Sequence, residues 1–294
     1  MTNSDTVPMN SRKDQLPPKK SNVPLIASII GAVLIVIIIA VIILASSSST
    51  NSSGSISQSK TQTTNKNILT LTPNTLVNEL TQIPISEYNK IGTGDSLVSG
   101  LPSQLNSTPL VLNNKPEVLY MGDEWCPYCG AERWALILAL SRFGTISNLY
   151  TAFSSSTDVY PYTPTFSLAK VKYSSPYISF VEVEMQTINH TPLQNPTPEE
   201  NNLLNTIGNG SIPFIDIGGS WYSTANYDPQ LLQGLSHKTI ASDLSNPNTQ
   251  STQAIIGSAN YLTATICSID NNQPGRICNS SGVLAAKNSL KITP

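Results

Sequence analysis

The sequence has 294 residues, 39% of them hydrophobic, enough for a packed core in one or two domains and too many for a wholly disordered chain. Charge is scarce: 16 Lys and Arg stand against 18 Asp and Glu, for a net of -2 and a pI near 5.7. With no basic patch and no recognisable nucleic-acid motif, DNA and RNA are poor candidates as partners.

The first feature in chain order is an uncharged, apolar run from Leu25 to Ala45. About 20 such residues span a bilayer core as a helix. Arg12, Lys13, Lys19 and Lys20 precede the run against Asp5 and Asp14, and no Lys or Arg follows until Lys60. The positive-inside rule therefore places residues 1–24 in the cytoplasm, a transmembrane helix over 25–45 and the rest of the chain outside the cell. A cleaved signal peptide is the competing reading, but its apolar part spans about 7–15 residues. The longer run here points to an uncleaved anchor. Residues 46–67 are rich in Ser, Thr and Asn and read as a flexible tether. N-x-S/T sequons follow the span at Asn51, Asn106, Asn189, Asn209 and Asn279, which agrees with an exterior location without requiring it.

Residues 68–294 read as one globular domain. Thr72 and Pro73 suggest a helix cap and first turn ahead of Leu76, Val77 and Leu80. "TPLVLNNKPEVLYMG" reads as two strands joined by an Asn-Asn turn. Helical periodicity follows from Cys129 to Phe143, with Trp134, Ile137, Leu138 and Phe143 within one broad face. Leu149 to Phe153 suits a strand, and "SLAKVKYSSPYISFVEVEM" suits two strands about a Ser-Ser-Pro turn. Pro198, Glu199 and Glu200 open a helix running to Ile207. "SIPFIDIGGSWYSTA" reads as strand, Gly-Gly turn and strand, and three helical stretches end at Cys267. Strands mixed with helices predict an α/β or α+β fold.

Cys126, Cys129, Cys267 and Cys278 all lie beyond the apolar run, and an even count outside the cytoplasm favours disulfides. A structural zinc needs four N or S donors, and neither the distant cysteines nor the isolated His190 and His237 are spaced to complete one with Cys126 and Cys129. A purely structural bridge across so short a loop would constrain little chain. The redox reading has a physical basis. An apolar strand ends at the pair, and Pro127 suits the first turn of the following helix. Cys126 then lies at a helix N-terminus, which stabilises the thiolate that attacks disulfides. Cys129, one turn on, is placed to resolve the mixed disulfide. Trp125 either shields the pair or is an ordinary packed aromatic.

The stretch "EWCPYC" between a strand and a helix resembles the active site of thioredoxin-fold oxidoreductases, with a Pro-Tyr dipeptide like that of glutaredoxins. "WCPYCGAERWALILALSRFG", "YPYTPTFSLAKVKYSSPYISF" and "ANYLTATICSIDNNQPGRIC" resemble, more specifically, an archaeal and actinobacterial membrane-linked family classed as domain of unknown function 929. The first resemblance implies a thioredoxin-like α/β fold. Trp125, Pro127, Tyr128, Ile212 and Pro213 would face the substrate, and the Ile212-Pro213 bond would be cis. It also implies a buried aspartate six residues before the first cysteine. Tyr120 stands there instead, and the sequence leaves open whether Glu132 or water takes over. The long interval from Cys129 to Pro213 implies an insertion, placed at "DVYPYTPTF" and a hairpin after it.

Cys267 and Cys278 enclose a turn-rich loop, which suits a structural disulfide; a second redox pair that relays electrons is the sharper alternative. His190 and His237 are expected at the surface, and Glu182 and Glu184 on a solvated strand face. The expected activity is thiol–disulfide exchange with exported cysteine-containing proteins, with a possible redox partner in the membrane and no cofactor or metal. The rival is a non-catalytic surface protein in which Cys126 and Cys129 form a staple or a binding element.

Overall fold

The computed structural model describes residues 68–293. The expected membrane span and tether, and Pro294, lie outside them. Among the described residues no helix is long and apolar enough to cross a membrane.

The described chain enters through a short strand, β1 (Thr70–Leu71), and a first helix, α1 (Asn74–Thr81). Pro73, not Thr72, holds the cap position: its carbonyl accepts from Val77 N at 3.1 Å, while Thr72 Oγ1 lies buried without a partner. A helix α2 (Ile85–Ile91) follows, then β2 (Ser103–Gln104), β3 (Val111–Leu112) and β4 (Lys115–Gly122). The expected Asn-Asn turn joins β3 to β4, with Asn113 at φ +53° and Asn114 at +59°, the left-handed pair that a two-residue hairpin requires.

The helix α3 (Pro127–Ser141) is buried from Cys129 through Leu140. The expected broad apolar face is therefore too narrow a description. A helix that is apolar nearly all round is one enclosed on all sides. The enclosure comes from the residues that follow. β5 (Thr145–Ser147), β6 (Tyr150–Phe153), β7 (Pro164–Ser167) and β8 (Lys172–Ser174) precede β9 (Ser179–Glu184). Strands β1, β6 and β7 form one small antiparallel sheet, and β5 pairs with β8 in another. The first of these lies on α3: Trp134 Nε1 donates to Pro164 O at 2.8 Å and Thr165 Oγ1 to Gly130 O at 2.9 Å. The two strands about the Ser-Ser-Pro turn exist, but they do not form the expected hairpin. The first pairs with β5, and β9 joins the main sheet.

The chain then forms α4 (Pro198–Thr206), β10 (Phe214–Ile217), β11 (Trp221–Ser223), α5 (His237–Asp243) and the long α6 (Gln250–Ile269). α4 begins with a capping box, Thr197 Oγ1 accepting from Glu200 N and Glu200 Oε2 from Thr197 N. Gly218 and Gly219, at φ +66° and +68°, make the expected turn between β10 and β11. Two further helices, α7 (Gly275–Cys278) and α8 (Ser281–Leu290), close the described region.

The main sheet runs β2, β11, β10, β4, with β3 and β9 on the far side of β4. β9 is parallel to β4, which requires a crossover, and α3 with the two small sheets supplies it. β10 is antiparallel to β4 and β11 antiparallel to β10. The central connectivity is thus strand, helix, parallel strand, helix, two antiparallel strands, helix: a mixed α/β architecture. Alternation along β4 separates two cores. Leu119 and Met121 meet Val183, Phe214 and Leu204 of α4 on one face. Val118 and Tyr120 meet Ile215, Ile217, α3 and α6 on the other.

Candidate functional site

Cys126 and Cys129 sit where β4 gives way to α3. Cys126 occupies the cap position, its Sγ accepting from Cys129 N at 3.2 Å, and Pro127 opens the helix. A sulfur at this position takes up one of the N–H groups that a helix start leaves unpaired. Cys126 retains 5% exposure and Cys129 none, so reagents meet Cys126 first. Their chemistry diverges accordingly. A hydrogen bond from the Cys129 thiol, more than offsetting burial, draws Cys126 below its ordinary value of 9.0; the N–H groups of Cys129 and Tyr128 and the Arg133 charge add to this. Burial pushes Cys129 well above the same value, and its bond to the Cys126 sulfur pushes in the same direction.

Arg133 lies one turn beyond Cys129 and was not singled out in the sequence. It is fully buried, with Nε 2.8 Å and Nη2 2.5 Å from the two oxygens of Glu184, also fully buried, and Nη2 2.8 Å from Asp123 O. Burial is the largest influence on the guanidinium and works against its charge, but the Glu184 carboxylate and its hydrogen bond, together with Tyr120 and Cys129, more than offset it, so the group titrates well above its ordinary range. Glu184 was expected on a solvated face. That face is instead the inner one, because β9 is covered by α3, and Glu184 pairs in register with Gly122. Glu182, on the same side, is half-buried and pushed by burial to about 7. The available signal was a basic residue on a largely apolar helix four residues after a cysteine, the spacing that brings two side chains to one helix face.

Ile212-Pro213 is a cis peptide bond, as the resemblance implied. Phe214 pairs with Met121, so Pro213 enters the sheet level with Gly122, next to Cys129. Trp125 is half-buried; its Nε1 donates to Gln186 Oε1 at 3.0 Å and its ring stacks on His190 at 4.6 Å. His190 is exposed as expected. Tyr128 is 40% exposed beside Cys126 and meets Tyr160 edge-on. With Ser99, Ala225, Tyr227 and Asp228 it lines a cleft of about 220 Å³. The structure therefore brings Trp125, Cys126, Pro127, Tyr128, Cys129 and Pro213 to one end of the main sheet, with Ile212 at the edge.

Cys267 and Cys278 do not join them. They form a disulfide, with Cα atoms 5.6 Å apart, between the end of α6 and α7. Ser268 accepts from Trp221 Nε1, and Ile269 packs under Gly218, at the turn end of β10. Pro213 marks the opposite end of that strand, so the length of β10 lies between the disulfide and the Cys126 end of the sheet. Glu132 does not take the place of the missing aspartate. Its hydrogen bonds go to residue 226, with Asn226 N donating at 3.0 Å, and burial pushes it up to about 8. The Asn226 amide fits with its nitrogen toward Gly100 O at 2.8 Å, which leaves Oδ1 against a Glu132 that holds its proton. His237 was expected at the surface and is buried, Nε2 lying 2.9 Å from Ala152 O and 2.6 Å from Thr165 O, a tie between α5 and the sheet of β6 and β7. Among the described residues no group of three His, Cys, Asp or Glu side chains could hold a metal ion.

Residues 102–268, more than half of the chain and including Cys126, Cys129 and Pro213, match the family described as domain of unknown function (DUF929). The chain belongs to this family. No curated protein and no solved structure matches it.

Proposed function

We propose that this DUF929 domain is a thioredoxin-like thiol–disulfide oxidoreductase, held at the outer face of the cell membrane and acting on exported proteins with cysteines. The observation that carries the reading is the asymmetry of the pair: Cys126 at a helix start with its thiol acidified, Cys129 enclosed with its thiol made more basic. The strand order β9, β4, β10, β11 and the cis proline level with Gly122 support the fold assignment. In one direction the Cys126 thiolate attacks a client disulfide, forming a Cys126–client bond and releasing one client thiolate. Cys129, having lost its proton, then attacks Cys126 Sγ. The second client sulfur leaves as a thiolate and takes up a proton, so the client gains two electrons and the pair becomes a disulfide. The reverse sequence oxidises a client dithiol. Tyr128 and the cleft beside it would seat the client chain. Pro213 would keep the Ile212 backbone open to that chain.

The location rests on the uncharged run 25–45 and its basic flank, on a disulfide that an oxidising compartment would preserve, and on exposed sequons at Asn106, Asn189, Asn209 and Asn279. The test is trapping. Cys129→Ser should accumulate mixed disulfides between Cys126 and clients, and Cys126→Ser should abolish exchange. Unchanged exchange in both folded variants would leave the pair a staple or a binding element. Protease added to intact cells should remove the domain beyond residue 45, and protection would overturn the topology.

A further inference from the structure

Around the cysteine pair three buried polar atoms lack a hydrogen-bond partner: Asp123 Oδ1, Glu182 Oε2 and the Tyr120 hydroxyl, of which only the last is a donor. Tyr120 on β4 is fully buried, and its hydroxyl has no hydrogen-bond partner. An unpaired buried hydroxyl is costly, and such orphans are uncommon unless they serve a state other than the resting one. Its position is specific. A Cβ placed on Gly122 would lie 2.3 Å from Tyr120 Oη and 3.2 Å from Cys129 Sγ. The hydroxyl and the sulfur therefore flank the same small gap, and the absence of a side chain at Gly122 keeps it open. The Arg133 guanidinium lies over the ring, its carbon 5.6 Å from the centroid.

We propose that Tyr120 Oη is the donor that stabilises the Cys129 thiolate, doing from β4 what an acid would otherwise do in this place. The role rests on the exchange reading, but the placement of hydroxyl and sulfur about Gly122 does not. In either direction of exchange the negative charge appears on Cys129. It is the sulfur that attacks Cys126 when the mixed disulfide resolves, and the sulfur that leaves when a client thiolate opens the Cys126–Cys129 bond. Rotation about the phenol C–O bond turns the O–H into the gap toward that sulfur, and no proton has to leave it. Burial keeps the phenol protonated, so it remains a donor wherever the protein is folded. The other titratable and charged groups facing the gap are Arg133 and Cys126 from α3 and Glu182 and Glu184 from β9. None of these offers a neutral O–H donor that stays protonated over the same range.

The test uses the full chain with Cys126→Ser, in which Cys129 is the free thiol and Cys267–Cys278 stays bonded. Alkylation of Cys129 is followed by mass mapping from pH 6 to 9. Tyr120→Phe should slow it about tenfold across that range, equivalent to a rise of about one pKa unit. The sign separates this role from mere packing. A variant that loosened the core would expose Cys129 and speed alkylation, so an unchanged or faster rate overturns the proposal. If Tyr120→Phe does not fold, 3-fluorotyrosine at position 120 alone, a stronger donor of nearly the same shape, should speed alkylation, and an unchanged or slower rate overturns it. With Cys126 restored, Tyr120→Phe should slow resolution of a Cys126–peptide disulfide by a similar factor. Should the parent chain exchange no disulfides at all, the functional reading fails while the alkylation result still decides the donor.

Discussion

Arg133→Met removes the charge beside both sulfurs while keeping most of the buried stem. Glu184 is left behind with neither oxygen in contact with water. Breaking such a pair from one side costs about 3–5 kcal/mol, because the remaining carboxylate is buried and uncompensated. That is a large share of the ~5–15 kcal/mol by which domains are usually stable. The cost has a pH signature. Glu184 already has a raised pKa through burial, and losing Arg133 raises it further, so the carboxyl escapes its isolation by binding a proton. The folded state then holds a proton that the unfolded state releases, and the penalty grows as pH rises above the ordinary carboxylate range. Urea unfolding of the full chain at pH 5 and pH 8 should show the variant closer to the parent at pH 5. Arg133→Met with Glu184→Met removes both charges and should recover most of the loss. A single variant within about 1 kcal/mol of the parent at pH 8, or a double variant no more stable than the single, would refute this account of the pair.

Two further outcomes are expected. Glu132 has a folded value of about 8 against an ordinary 4.5, so the native state binds the extra proton and this group's contribution to stability declines as pH rises between those values. Glu132→Gln should flatten that decline and gain on the order of a few kcal/mol over the parent at pH 8, with little difference at pH 4.5, in unfolding measured at both. Replacing Cys267 and Cys278 with Ala opens the loop and should cost on the order of 3 kcal/mol, read in the same assay, with exchange by Cys126 unaffected.

What the sequence disclosed follows from how local each signal is. Asn113-Asn114 and Gly218-Gly219 need left-handed backbone, so both hairpins were legible from composition alone. Cys126 and Pro127 announce a helix start because their roles depend on neighbours a few residues away. Apart from the one-residue shift of the first helix cap from Thr72 to Pro73, the losses are of longer range. Glu182 and Glu184 alternate with valines, and alternation fixes that they share a face without saying whether that face is covered; Arg133 of α3 and Leu168, just past β7, cover Glu184. His237 looked solvent-facing in a polar stretch, and carbonyls from β6 and β7, far off in sequence, bury it. The misplaced hairpin has the same origin, since β8 finds its partner in β5 and not in the strand next to it. α8 was missed because its short, weakly patterned run lies beyond the disulfide that fixes it.

The central claim is that Cys126 and Cys129 exchange electrons while Cys267 and Cys278 hold the fold. A redox titration of the full chain tests it most directly, with alkylation and mass mapping of each pair in buffers of known potential. The account predicts that Cys126–Cys129 opens and closes reversibly between about -270 and -120 mV, the span of thioredoxin-fold catalysts, with Cys267–Cys278 closed throughout. A Cys126–Cys129 pair that never closes, or one as hard to reduce as Cys267–Cys278, would contradict it.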